Sequence, residues 1–167
     1  MLRLRTIVLG LTLLPISGCN DDKIVQLEKQ NEELKVQMVK QNAAADFDLQ
    51  AKCSNAAKTW FNTNYAGLSR EKTTSYLDYT NHYNKASNKC FISVGYHRTV
   101  GMDGSWMSDY SLWDIYENNQ YGRFAEEHFI STTGNGLQKK VTSCVMLDKN
   151  CSTIGEFNGL MQPYMSN

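Results

Sequence analysis

The sequence predicts an α+β fold, and three observations predict it. From Asn20 to Tyr65 there is neither Gly nor Pro, which leaves a long run free to be helical. The middle of the chain turns to short runs rich in Tyr, Thr, Val and Ile, divided by turn-forming Asn, Asp, Ser and Gly. The end carries a capping-box spacing followed by an apolar helical face. Strands joined by tight turns, with helices at both ends, argue for an antiparallel sheet of four or five strands packed on the N-terminal helix, with a short C-terminal helix.

The first element is a three-part export signal over residues 1–18. Arg3 and Arg5 supply positive charge, Ile7 to Leu14 an apolar stretch, and Ile16, Ser17 and Gly18 the residues before a cut. That stretch is far below the roughly twenty residues needed to span a bilayer. Its end, Ile16-Ser17-Gly18-Cys19, resembles the lipobox of bacterial lipoproteins. The resemblance implies that Cys19 is acylated, becomes the first residue of the mature chain, and carries covalent lipid as its only attached group. Two or three acyl chains, at about 0.8 kcal/mol per buried methylene, anchor the chain without spanning the membrane. Asn20 rather than Asp follows the cysteine, which by the same resemblance favours the periplasmic face of the outer membrane over the inner membrane. The competing reading is an ordinary secretory signal with an incidental cysteine.

Removing residues 1–18 from 167 leaves 149, enough for one domain with a core plus an extended piece. The whole chain balances 17 basic against 17 acidic residues, so no basic field marks a nucleic-acid partner. With Cys19 assigned to lipid, Cys53, Cys90, Cys144 and Cys151 remain, an even number in an exported chain, and two disulfides are expected. Of the three possible pairings, Cys53–Cys90 with Cys144–Cys151 is preferred because each joins neighbouring elements. A zinc site is the alternative, but no Cys-x-x-Cys pair is present.

Residues 19–45 read as anchor and helical stalk. Ile24, Leu27, Asn31, Leu34 and Met38 fall at successive a and d positions of a coiled coil, with Asn31 at an a position where a buried amide fixes register. Gln41 breaks the seam, and a homodimer through the stalk competes with a single solvated spacer. At 1.5 Å per residue, about twenty-three residues place the domain about 35 Å from the lipid. Residues 46–167 form the disulfide-stapled domain. Its helix, from about Asp46 to Asn64, presents Leu49, Cys53, Ala56, Ala57, Trp60 and Phe61 on one face and stops near Ala66-Gly67.

Strand-like runs follow at Thr73 to Tyr83, Cys90 to Tyr96, Leu112 to Tyr116, Tyr121 to His128 and Lys140 to Leu147. Cys90, Ile92, Val94 and Tyr96 share one face, the layer that the Cys53 face would cover. The spacing of Thr153 and Glu156 opens the last helix, with Phe157, Leu160, Met161 and Tyr164 on one side and Pro163 ending it. The segments His82-Tyr83-Asn84-Lys85 and Asn88 to Ile92, with the Cys144–Cys151 spacing and Phe157 to Met165, resemble small bacterial lipoprotein and periplasmic domains. That resemblance supplies no catalytic residue.

His82, His97 and His128 lie on separate runs, and if the first two strands pair, His82 and His97 sit at opposite ends of the hairpin. No nucleophile elbow or phosphate loop occurs, and with the thiols bridged no cysteine is left for catalysis. The expected class is therefore non-enzymatic, with no metal. One connection is unusually apolar: Val100, Met102, Trp106 and Met107 surround Gly101 and Gly104, as a contact surface would. The sequence thus reads as a bacterial envelope lipoprotein that binds or scaffolds another envelope protein. The alternatives are a periplasmic inhibitor or exclusion factor acting through the Trp106 connection and, third, an enzyme acting on the cell wall.

Overall fold

A computed structural model describes residues 21–131 and 136–166. The export signal and Cys19 lie outside the described residues. Helix α1, Asp21–Tyr65, is followed by five long strands: β1 (Thr74–Asn84), β2 (Lys89–Thr99), β3 (Trp106–Asp114), β4 (Asn119–Ile130) and β5 (Leu137–Met146). The short β6 (Lys149–Asn150) and helix α2 (Ile154–Met161) complete the order. The chain divides into two units at residues 42 and 43.

In the first unit, residues 21–42 are all exposed, and the Lys35 ammonium lies 2.7 Å from Glu32 one turn away. In the second unit the strands form one antiparallel meander, each paired with its neighbours in chain order. Among the described residues, the expectation of four or five strands is corrected to six. The extra strand, β6, pairs Val145 with Asn150 and Met146 with Lys149, and its two residues look like part of a turn when read alone. β3 also begins six residues earlier than its apolar run. Ser108, Asp109 and Ser111 are buried on it, and such polar residues hide a strand from composition.

Asn88 and Asn118 adopt φ of 55° and 50° at the ends of the β1–β2 and β3–β4 turns, where Asn tolerates the left-handed region. Both long faces of the sheet are covered in part, so the second unit has three layers. On one face, Ala57 of α1 packs with Ile92 and Val94, flanked by Trp60, Phe61, Leu77 and Tyr79. On the other, Phe157 of α2 packs with Phe91, Leu112, Phe124 and Met146.

The Thr153 hydroxyl accepts from the Glu156 amide at 3.2 Å, and the Glu156 carboxylate accepts from the Ser152 amide at 2.7 Å, capping α2 at its start. The chain end is tied down by buried Asn84. Its amide donates to the Pro163, Tyr164 and Ser166 carbonyls, and its oxygen accepts from Ser87.

Two disulfides are present among the described residues, Cys53–Cys90 joining α1 to β2 and Cys144–Cys151 closing the β5–β6 turn. The sequence separations are 37 and 7, so loop entropy assigns about 4 and about 2.5 kcal/mol to them. The Cys53→Ala/Cys90→Ala variant is therefore expected to lower the unfolding free energy in guanidinium more than Cys144→Ala/Cys151→Ala does. Equal losses would contradict the loop-length account.

Candidate functional site

Helix α2 has eight residues and spans about 12 Å, whereas strands of nine to twelve residues run for about 30 to 40 Å. It therefore covers one end of its face, over Phe91, Leu112 and Phe124. Among the described residues, no helix covers the other end. There the side chains cover one another, and they are aromatic and titratable.

Pairing of β3 with β4 puts Trp106 directly opposite His128, and their rings stack with centroids 3.5 Å apart at 6°. The His97 ring lies 5.4 Å from Trp106 and 5.1 Å from Tyr76. His97 Nε2 shares a hydrogen bond of 3.0 Å with the Tyr110 hydroxyl. His128 Nε2 lies 2.9 Å from a Glu126 oxygen, and the other Glu126 oxygen is 3.4 Å from Lys139. The Glu126 and His128 side chains are nearly buried. Tyr110 reaches across β2 because position 95 is glycine: a Cβ there would stand 2.8 Å from two ring carbons of Tyr110.

Burial, and then the charge His128 would carry, hold the His97 pKa below the ordinary 6.5. Ser108 occupies the same face, in register between His97 and Glu126, but it is buried, and among the described residues no hydrogen bond joins its hydroxyl to either histidine. The arrangement can hold one histidine by a carboxylate and the other by a phenol around a stacked indole. Among the described residues, no group of three His, Cys, Asp or Glu side chains is placed to hold a metal ion.

The residues singled out in the β2–β3 connection divide. Trp106 and Met107 start β3 and point to opposite faces, both half-buried, while Val100 and Met102 belong to the turn. That turn is locally satisfied. The Val100 amide donates to the Ser105 carbonyl at 2.8 Å, and Asp103 accepts from the Ser105 amide at 3.0 Å and from its hydroxyl at 2.8 Å. These bonds hold the Asp103 carboxyl below its usual range. Gly104 supplies the positive φ of 84°, and Met102 stands fully exposed at the tip.

His82 and His97 do lie at opposite ends of the β1–β2 hairpin, paired with Phe91 and Tyr76 respectively. The convergence of His97 and His128 on the Trp106 ring is what sequence reasoning missed. The signal available was the alternation of Trp106, Ser108 and Tyr110, which needed the β3–β4 register to acquire partners. Comparison with protein families, with curated proteins and with solved structures finds no match to this chain.

Two outcomes follow from this geometry. A histidine held below 6.5 when folded binds its proton more readily when unfolded, so stability is full above about pH 6.5 and falls as pH drops from there toward the folded value. The denaturation midpoint should decline from about pH 7.5 to about pH 5.5, and His97→Gln should flatten that slope. Separately, Gly95→Ala should displace the Tyr110 ring, break its bond to His97 and destabilise by about 1–3 kcal/mol. An unchanged melting curve would sink that account.

Proposed function

We propose that the chain is a membrane-anchored lipoprotein of the bacterial envelope, held by lipid on Cys19 at the periplasmic face of the outer membrane. Its domain acts as a non-enzymatic binding or scaffolding module for another envelope protein. The observation that carries this reading is Met102, a large apolar side chain fully exposed on a turn whose backbone is hydrogen-bonded to itself. Ordering such a turn on binding costs little entropy, so its apolar surface is available for affinity. Beside it, the Trp106 and His128 stack supplies an aromatic patch of the kind that anchors interfaces.

Anchoring confines the domain to a thin layer and raises its effective concentration against partners in that layer. The stalk supports pairing of two copies: Ile24, Leu27, Leu34 and Met38 are 47%, 58%, 56% and 61% exposed in the single chain. A partner helix would cover that seam, with Asn31 setting its register. A second reading, a periplasmic inhibitor or exclusion factor, is favoured by the same turn, since a self-supported loop with a bulky tip suits insertion into a cleft on a target.

Photo-crosslinking in intact cells from position 102, with Lys35 as control, tests the reading. One discrete protein adduct from position 102 and none from position 35 is expected. Adducts from position 35 alone would move the function to the stalk. A scaffold should lose its effect with Cys19→Ala and with loss of the stalk, whereas an inhibitor should keep it as a soluble domain and lose it with Met102→Asp.

A further inference from the structure

The face of the sheet under α1 carries a cleft apart from the Met102 turn and the Trp106–His128 stack. The last turns of α1 bring Trp60 and Tyr65 over β3, where Trp60 meets Trp113 with ring centroids 5.4 Å apart and Tyr65 with centroids 5.9 Å apart. Two contiguous hollows of about 360 and 230 Å³ share Tyr65 and Trp113 as walls. Both indole N–H groups are satisfied at the rim, that of Trp60 by the Asn118 oxygen at 3.0 Å and that of Trp113 by the Ser111 hydroxyl at 3.1 Å. What the two rings offer a ligand is therefore apolar surface.

The opposing wall is polar. Arg123 grips a single oxygen of Asp109, through Nε at 2.9 Å and through Nη2, so the second carboxylate oxygen and Nη1 stand outside that grip. The Asp109 side chain is only 5% exposed and the Arg123 side chain 46%, so the pair is anchored in the sheet and open to the cleft. Burying the Asp109 carboxylate is costly compared with apolar packing, and a cleft with convergent polar groups is where such an arrangement has a use. Burial pushes the Tyr65 and Tyr96 phenols above their usual value, so both remain neutral hydroxyls at physiological pH.

We propose that this cleft binds a neutral carbohydrate, a sugar ring lying against Trp113 and Trp60 with its hydroxyls bonded to Asp109, Arg123 and the Asn118 amide. The charges on Asp109 and Arg123 cancel across the contact, so a free anion or cation gains little there. A sugar matches both walls: its C–H faces suit an aromatic surface, and each hydroxyl donates and accepts in the plane where carboxylate, guanidinium and amide groups bond best.

The test uses the full-length protein in a detergent without a sugar headgroup, titrated with chitotriose, cellotriose and maltotriose. Two of the three tryptophans line the cleft, so tryptophan fluorescence reports binding directly. Saturable quenching by at least one trisaccharide is expected. The Asp109→Asn/Arg123→Gln pair, which removes both charges together, should weaken it about tenfold or more. Lys149→Ala should leave it unchanged. If the paired variant does not fold, Asn118→Gly keeps the positive φ of the turn while removing the rim amide and the acceptor of the Trp60 indole N–H, and it should weaken binding measurably. No saturation by any of the three sugars overturns the proposal, as does binding that neither variant weakens.

Discussion

Strand β2 must be buried on both sides, and the rest of the second unit follows from that constraint. Cys90, Phe91, Ile92 and Val94 are all within 1% of fully buried, although consecutive residues point to opposite faces. A two-layer arrangement would leave Phe91 in water. The sheet therefore needs α1 against Ile92 and Val94, and α2 against Phe91 and its neighbours Leu112 and Phe124. Buried Asn84, joining the β1–β2 turn to the residues after α2, holds the third layer in place, and an unpaired amide at that depth would carry the full cost of desolvation.

The helices were legible because their signals are local. The absence of Gly and Pro to Tyr65, the face from Leu49 to Phe61, and the Thr153–Glu156 cap each act over a few turns. The cysteine pairing was legible from the faces, since Cys53 and Cys90 lie on the apolar faces of α1 and β2 that pack together, and Cys144 and Cys151 flank one turn. What resisted reading was polar and non-local. Asp109 sits in a buried strand because Arg123 neutralises it from the next strand, and no window around Asp109 contains that information. The α2 layer was half legible: its apolar face announced burial, but not which side of the sheet would receive it.

The candidate surfaces show the same division. Met102 was visible as an apolar residue in a Gly-containing connection, and its exposure is a property of the turn alone. Trp106 was visible too, but its environment depends on His128, twenty-two positions away and brought opposite by the β3–β4 register. Glycine at 95 is equally opaque in sequence, since its reason is the Tyr110 ring lying across the neighbouring strand. In each instance the residue type was informative about chemistry, and the topology decided which chemistries met.

The pairing of cysteines also bears on how such a chain matures. Cys53 pairs with the next cysteine along, Cys90, and Cys144 with the next after it, Cys151. If Cys19 is taken up by lipid, as proposed, then in a chain that oxidises while threading out from its N-terminus the next thiol to emerge after Cys53 and after Cys144 is its native partner. Under that condition, oxidants that simply join thiols in order of emergence would reach the native connectivity, with no shuffling of wrong bridges. The strand order reinforces this, because every strand finds its partner in the one just delivered.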